Sequence, residues 1–301
     1  MKKIAIFGGS GFIGQNLTAK LKEKNYYVIN FTRNATKYIA TFDNNIQYSY
    51  HSNDWKKYLE NTYAVINLAG ASVAAKRWTK SYKKIIYKSR INTTELIVNT
   101  VNNLKEKPQV FINASATGYY GDCNDKVITE KSPAGNDFLA KVCLDWESAA
   151  KKINPDIRLI IPRIGFVLDK KQGGLAKMIL PFKFFIGGPL GSGNQYIPWI
   201  HKKDLINLII FLIENENCTG EFNCSSPKPI TMKEFASEIG KVLIRPSILK
   251  VPTSVLKLIL GEQSIVVLNS CRAIPEKAST FNFKFYYEDI DKALENLLTN
   301  K

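Results

Sequence analysis

The stretch Ile4-Ala5-Ile6-Phe7-Gly8-Gly9-Ser10-Gly11-Phe12-Ile13-Gly14 decides how this chain is read. A run of apolar, β-favouring residues ends at Gly8, and glycines then recur as G-x-x-G-x-x-G: strand, tight turn, helix start. The first glycine permits the sharp turn, the second lets backbone come close to a pyrophosphate, and the third lets the helix pack on the sheet. A helix from Phe12 to Lys24 aims its unpaired amides and the positive end of its dipole at the phosphates. The competing reading is a glycine-rich turn with no ligand. Against it stands a second apolar strand, Tyr27-Val28-Ile29-Asn30-Phe31, which completes a strand-helix-strand unit at the expected distance.

That second strand ends at Thr32-Arg33-Asn34. An acidic residue at this place bonds the 2′-hydroxyl of an NAD ribose, whereas an arginine accommodates a 2′-phosphate, so Arg33 points to NADP(H). A plain surface arginine is the alternative.

Composition narrows the field. The 301 residues, 45% of them hydrophobic, suffice for one elaborate α/β domain or two intimate ones. The apolar run Leu208–Ile213 is too short to span a bilayer, and no secretory segment is read. The five cysteines, Cys123, Cys143, Cys218, Cys224 and Cys271, form no C-x-x-C pair, which fits reduced thiols in the cytoplasm and argues against zinc. The formal charge of +16 comes mostly from lysines scattered over the expected helices, with one cluster at Lys76–Lys84. No recognition helix, RNA-binding sheet or zinc finger accompanies it, so no nucleic-acid partner is expected, and with no spanning segment read no membrane partner is expected either. A cationic cleft would still attract an anionic small molecule.

Along the chain, Ile46 to Tyr50 reads as a third strand, Asp54 to Glu60 as a short helix, and Ala64 to Gly70 as a buried strand ending in small residues. Thr79 to about Leu104 carries a helical stripe, and Gln109 to Ala114 is a fifth strand. It runs into Ser115-Ala116-Thr117-Gly118-Tyr119-Tyr120-Gly121, placed where α/β active sites gather. A helix follows to about Lys152, capped by Asn136 or Asp137. A sixth strand, Ile157 to Leu168, is expected to break at Pro162-Arg163 and Gly165. Helices are then expected from Gly173-Gly174 through Phe185, from Asp204 to Asn215, from the capping box Thr231/Glu234, and from Glu288 to Leu298, with Glu221 to Ser225 returning to the sheet.

These residues carry a family likeness. The glycine turn, Asn67-Leu68-Ala69-Gly70, Tyr120-Gly121 and Ile200-His201-Lys202-Lys203-Asp204 resemble the extended short-chain dehydrogenase/reductase superfamily of sugar-nucleotide epimerases and dehydratases. Arg77-Trp78, Ser89-Arg90-Ile91, Ala114 to Gly121, Asp145-Trp146-Glu147, Gly187 to Gly193 and the tail from Leu260-Gly261-Glu262 to Pro275 resemble one atypical branch, the epimerase-family proteins with a C-terminal domain of unknown function. The resemblance implies an α/β fold: a Rossmann-type doubly wound parallel sheet with a smaller C-terminal lobe. The division it suggests is an NADP(H)-binding domain over 1–225, with 169–200 contributing to the substrate lobe. The lobe itself would cover 226–301, its family-specific segment lying at about 246–295. Implied cofactor contacts fall on Gly8, Gly11, Phe12, Ile13, Gly14, Thr32, Arg33, Leu68, Ala69, Gly70 and Arg90. For Arg90 a helix-surface ion pair is the alternative.

The chemistry departs from the superfamily. Its Tyr-x-x-x-Lys pair puts a tyrosine base and a lysine one helical turn apart. Counting back from Glu147, those places hold Leu139 and Cys143, and the usual Ser/Thr place holds Ala116. Asp137 and Lys141 share the spacing in a shifted register, where a helix salt bridge is the simpler reading. Tyr119, with Ser115 as helper, is the candidate replacement acid, weighed against an aromatic corner beneath the lobe. Arg77, Arg163, Gln195 and His201 could ring an anionic substrate, His201 also reading as structural. The expectation is a cytoplasmic NADP(H)-binding oxidoreductase or epimerase-like protein with a small-molecule substrate. The rival is a non-catalytic cofactor-binding regulator or scaffold, to which the resemblance attaches a link with cell division.

Overall fold

The computed structural model describes residues 1–33, 45–48 and 52–299. In chain order its strands are β1 (Lys3–Phe7), β2 (Tyr27–Thr32), β3 (Asn45–Gln47), β4 (Ala64–Asn67), β5 (Val110–Asn113), β6 (Ser115–Ala116), β7 (Val127–Ile128), β8 (Arg158–Ile164), β9 (Phe166–Leu168), β10 (Tyr196–Ile197), β11 (Trp199–His201), β12 (Gly220–Cys224), β13 (Ile230–Thr231) and β14 (Arg272–Ala273). The α-helices are α1 (Phe12–Glu23), α2 (Lys80–Asn102), α3 (Phe138–Ala150), α4 (Gly173–Lys183), α5 (Lys202–Glu214), α6 (Met232–Leu243), α7 (Thr253–Leu260), α8 (Ile265–Leu268), α9 (Glu276–Thr280) and α10 (Ile290–Leu298).

Among the described residues the main sheet runs β12-β8-β5-β4-β1-β2-β3, with β6 beside β8, and its pairings are parallel. Strand order reverses between β1 and β4, the crevice at which dinucleotides bind in doubly wound sheets. Side-chain alternation explains why both faces are apolar. Ile4 and Ile6 enter one core with Leu17 of α1 and Leu205 of α5, while Ala5 and Phe7 enter the other with Trp55 and Val98. A third core, holding Trp199, Phe235 and Leu294, joins α4, α6 and α10 in the C-terminal lobe. The lobe is stitched to the first half by small sheets: β9 with β11, β10 with β13, and β14 with β7.

Several elements depart from the sequence expectations. Of the third strand expected over 46–50, the described part is Asn45–Gln47, starting one residue early and without Tyr48, and residues 49–50, like Asn34, lie outside the described residues. The helix expected at 54–60 is a 3-10 turn over Lys56–Leu59. Pro162 and Arg163 do not break the sixth strand: β8 runs through both and stops at Gly165. The β5–β8 register, Val110 on Arg158, continues as Ser115 on Arg163, so Pro162 falls opposite Ala114, where β5 has ended. Pairing with β8 is interrupted there and resumes at Ser115, so the N–H that Pro162 lacks falls in the gap. Gly165 is required because an added Cβ would stand 2.0 Å from the Pro198 carbonyl. Asp137, not Asn136, caps α3, and the Thr231/Glu234 capping box forms as expected.

The helix expected from Asp204 begins two residues earlier, because His201 caps it: its Nδ1 accepts from the Lys203 amide at 3.1 Å. The ring is buried and packs on Tyr287 with centroids 4.0 Å apart. Burial first, and then the charge of Lys202, lowers its pKa from 6.5 to about 4. The unfolded chain therefore binds a proton that the folded one refuses. Stability is complete above pH 6.5 and falls as pH drops from there towards 4, with about 3 kcal/mol at stake. Replacing His201→Asn, which keeps a capping acceptor but cannot titrate, should flatten that part of the stability profile measured by urea unfolding. An unchanged slope in the variant would assign it to other groups.

Candidate functional site

The glycine turn between β1 and α1 is built for backbone contact. Gly8 takes φ +81°, and an added Cβ there would lie 2.8 Å from the Leu68 carbonyl carbon. At Gly14 a Cβ would stand 2.4 Å from the Gly8 carbonyl, so that glycine sets how closely α1 seats on the turn. Gly11 differs: a Cβ would meet only the Gly8 carbonyl, at 3.2 Å, and otherwise faces open space. Gly11 is also the N-cap of α1, with no side chain capping the helix and no acidic residue in its first turn. The amide end of α1, with Phe12 and Ile13, is thus presented bare at an open surface, the arrangement that binds phosphate.

Thr32 and Arg33 end β2 on one side of β1, and Leu68, Ala69 and Gly70 follow β4 on the other. All the residues expected to contact a cofactor, Arg90 excepted, therefore gather at the carboxyl ends of three adjacent strands. Arg33 is exposed and Thr32 buried. The backbone after β4 is anchored from below, where the Leu68 amide donates to Phe7 and the Ala69 amide to Asn67 Oδ1. Asn67 belongs to a buried network that sequence reasoning missed: its Nδ2 donates to Thr94 and to Asn113, and the Trp146 indole donates to the Thr94 hydroxyl at 2.8 Å. Its signal was present. Two adjacent apolar strands each end in asparagine, a residue strands otherwise avoid, and the register pairs the two.

Arg90 projects from α2 under this loop. It donates to the carbonyls of Ala71 and Ile86 at 3.0 and 3.1 Å, and its guanidinium lies 5.1 Å from the Trp146 ring centre. Burial lowers its pKa. The surface ion pair entertained for it is therefore corrected: carbonyls hold this side chain, not a carboxylate. Gly70 leaves it room, since a Cβ there would stand 3.1 Å from the guanidinium carbon.

Beyond Arg90 a pocket of about 290 Å³ opens between α3, the 116–121 loop, the 195–198 strand and residues 265–271 of the C-terminal lobe. Ala116, Leu139 and Cys143 all line it. The three positions where the superfamily carries hydroxyl, tyrosine and lysine thus do converge, but as methyl, isobutyl and thiol. Burial pushes the Cys143 thiol up to about 11, leaving it protonated at neutral pH. Asp137 reaches the rim, but its carboxylate accepts from the Ala140 amide and from Asn269 Nδ2. It forms neither the catalytic pair nor the salt bridge with Lys141 considered from spacing.

The candidate acid and its helper point elsewhere. Ser115 is buried and donates to Glu147 Oε1 at 2.7 Å, while the Tyr119 ring lies against Arg163, 3.6 Å from the guanidinium carbon. Neither lines the pocket. Arg163 is likewise not a substrate ligand. It donates from Nε and Nη2 to the two oxygens of Glu147 at 2.9 and 2.8 Å, and from Nη1 to the Tyr120 hydroxyl. Both charged side chains are only 3% exposed. The Tyr120 hydroxyl passes the chain on to Asn223 Oδ1 at 2.7 Å. Of the residues expected to ring an anionic substrate only Gln195 lines the pocket, its amide held by Leu190 and Val267 carbonyls, whereas Arg77 is exposed and reaches towards Leu258.

Residues 4–225 match the model of the NAD dependent epimerase/dehydratase family, and residues 251–297 match a domain of unknown function, DUF1731. The chain is 39% identical over 300 residues to the chloroplastic epimerase family protein SDR39U1 homolog of Arabidopsis thaliana, covering 98% of this chain and 86% of the relative. It is 37% identical over 300 residues to the epimerase family protein YfhF of Bacillus subtilis, covering 99% and 98%. The crystal structure of human epimerase family protein SDR39U1 with NADPH superposes with a TM-score of 0.91 at 27% identity, covering 99% of this chain and all of that one.

Removing one member of the Glu147–Arg163 pair strands a buried charge, so Arg163→Met should cost about 3–5 kcal/mol in urea unfolding. Adding Glu147→Leu to it should recover most of that loss. A double variant no more stable than the single one would show that the surrounding hydrogen bonds, not the stranded charge, carry the cost.

Proposed function

This chain belongs to the NAD dependent epimerase/dehydratase family, and from that premise we propose that it binds NADP(H) across the carboxyl ends of β2, β1 and β4. The observation that carries the reading is the open face of Gly11 at an uncapped helix start, where a side chain would occupy the place a pyrophosphate takes. Phe12, Ile13 and Gly14 would offer amides, Arg33 would meet the 2′-phosphate, and Leu68, Ala69 and Gly70 would floor the site. Arg90 would hold the nicotinamide end, where the superfamily lysine otherwise works. The human relative crystallised with NADPH supports the choice of cofactor. When bound, the cofactor supplies or accepts hydride.

The chain's own contribution is then positioning. Leu139, Val142, Trp146, Phe166 and Met178 form an apolar wall that excludes water and orients a small molecule, with few polar groups to fix its direction. Leu139 and Cys143 stand where the superfamily carries its tyrosine and lysine, so the reading best supported is an oxidoreductase without that proton-transfer pair, in which Tyr196 and Thr117 are hydroxyl-bearing side chains of the pocket lining. In the proposed division, 1–225 binds the cofactor and 226–301, with 169–200, closes over the substrate. The second reading, a cofactor-bound regulator without turnover, draws on the same three replacements at Ala116, Leu139 and Cys143.

Titrating the protein with NADPH should show saturable binding, and Arg33→Asp should weaken NADPH about tenfold or more while leaving NADH nearly unchanged. Equal affinity of the unaltered protein for both nucleotides would remove Arg33 from the site. Gly11→Val should abolish binding of either without lowering thermal stability greatly, since its Cβ would point outward. Single-turnover NADPH oxidation against apolar aldehydes, ketones and sugar nucleotides separates the two readings. Oxidation by any of them supports the enzyme, and tight binding with no oxidation supports the regulator.

A further inference from the structure

We propose that the outer face of the C-terminal lobe, built from residues 180–186 and 244–250, docks on an anionic lipid surface. Its apolar side chains are unusually open to solvent: Leu180 at 54%, Phe184 at 67%, Phe185 at 58%, Ile186 at 56%, Ile244 at 84% and Ile248 at 78%. Half-exposed apolar residues scattered singly need no explanation, but these are assembled. The two segments run side by side, with Leu249 donating to the Gly187 carbonyl at 3.1 Å and Gly187 bridging Ser247. Arg245 lies over the Phe185 ring at 4.4 Å, which ties the tips of the two segments together. None of the six lines the cofactor-side pocket. Ile244 closes α6 in the left-handed region, φ 54°, where glycine or asparagine is the ordinary residue and a branched side chain is disfavoured. Nothing in the packing calls for isoleucine there.

Charge selects the occupant. Between Asp169 and Asp204, and again between Glu238 and Glu262, the sequence has no acidic residue, while Lys183, Arg245, Lys250 and Lys257 are exposed on these segments. None of those four forms an ion pair among the described residues, whereas Lys241 just before them is paired with Glu238. A second copy of the chain would bring cations against cations. A lipid surface needs no matching shape: phenylalanines and isoleucines enter the acyl boundary, and lysines and arginines lie at the level of anionic headgroups. The net charge of +16 adds long-range attraction to the same surface. This is compatible with the absence, among the described residues, of any helix long and apolar enough to cross a membrane, because the face lies on the bilayer. The sequence expectation of no membrane partner weighed spanning segments only.

The test is flotation of the full chain with vesicles of phosphatidylcholine alone and of equal parts phosphatidylcholine and phosphatidylglycerol, alongside sizing in solution. The chain should float with the phosphatidylglycerol vesicles and not with phosphatidylcholine alone, and binding should weaken as salt rises. Phe184→Ser with Phe185→Ser should abolish flotation, and Lys183→Glu with Arg245→Glu should weaken it by more than about tenfold. All four side chains are exposed, so unfolding temperatures should stay near that of the unaltered chain. Failure to float with either vesicle overturns the proposal and directs the face to an acidic protein instead. Flotation unaffected by both double variants also overturns it, as does a dimer that the phenylalanine variant dissolves in the absence of lipid binding.

Discussion

The Glu147–Arg163 pair is the constraint on which the arrangement of this molecule turns. Two opposite charges taken out of water must be matched to each other and to every remaining hydrogen-bonding group nearby, or the fold bears a large desolvation cost. The match here consumes the neighbourhood. Ser115 donates to the carboxylate, Tyr120 accepts from the guanidinium, the Glu130 carbonyl takes a further bond at 3.1 Å, and the Tyr119 ring covers one guanidinium face. The pair thereby fixes α3 against β8 and the 115–121 loop against both.

That arrangement explains the chemistry of the pocket. With Glu147 held inward, Cys143 and Leu139 lie one and two turns earlier on the same helix and face the cavity. The Ser115 and Tyr120 hydroxyls are turned to the buried charges instead. An apolar chamber is left beside a phosphate-type cradle, and Arg90, held by carbonyls, is the cation between them. The lobe completes the chamber because β10 and β13 pair, and because 265–271 is drawn across by β14 pairing with β7.

Much of this was legible residue by residue. The glycine turn, the parallel strands and the capping box at Thr231 are local patterns: each is set by backbone sterics or by groups within a few positions. The substitution of Leu139 and Cys143 was also readable, from the family resemblance and the spacing back from Glu147. What spacing could not give was the direction of side chains whose partners are distant in sequence. Ser115 and Glu147 are 32 positions apart, and Tyr120 and Asn223 are 103 apart. Pro162 looked like a strand breaker because the gap it faces, opposite Ala114, exists only once three strands are aligned. The exposed apolar face escaped notice for a similar reason, since its two segments look like ordinary core-forming stretches until they are placed side by side at the surface.

The amino-acid order alone therefore determined the sheet, the glycine turn and the residues that stand at the superfamily's proton-transfer places, because these depend on period, steric freedom and residue identity at fixed intervals. Tertiary structure alone decided that Arg163 is structural, that Tyr119 and Ser115 serve a buried charge pair, and that Arg90 belongs to the pocket. Burial and charge satisfaction are properties of groups brought together across the chain, and no local pattern encodes which donor a buried carboxylate will claim.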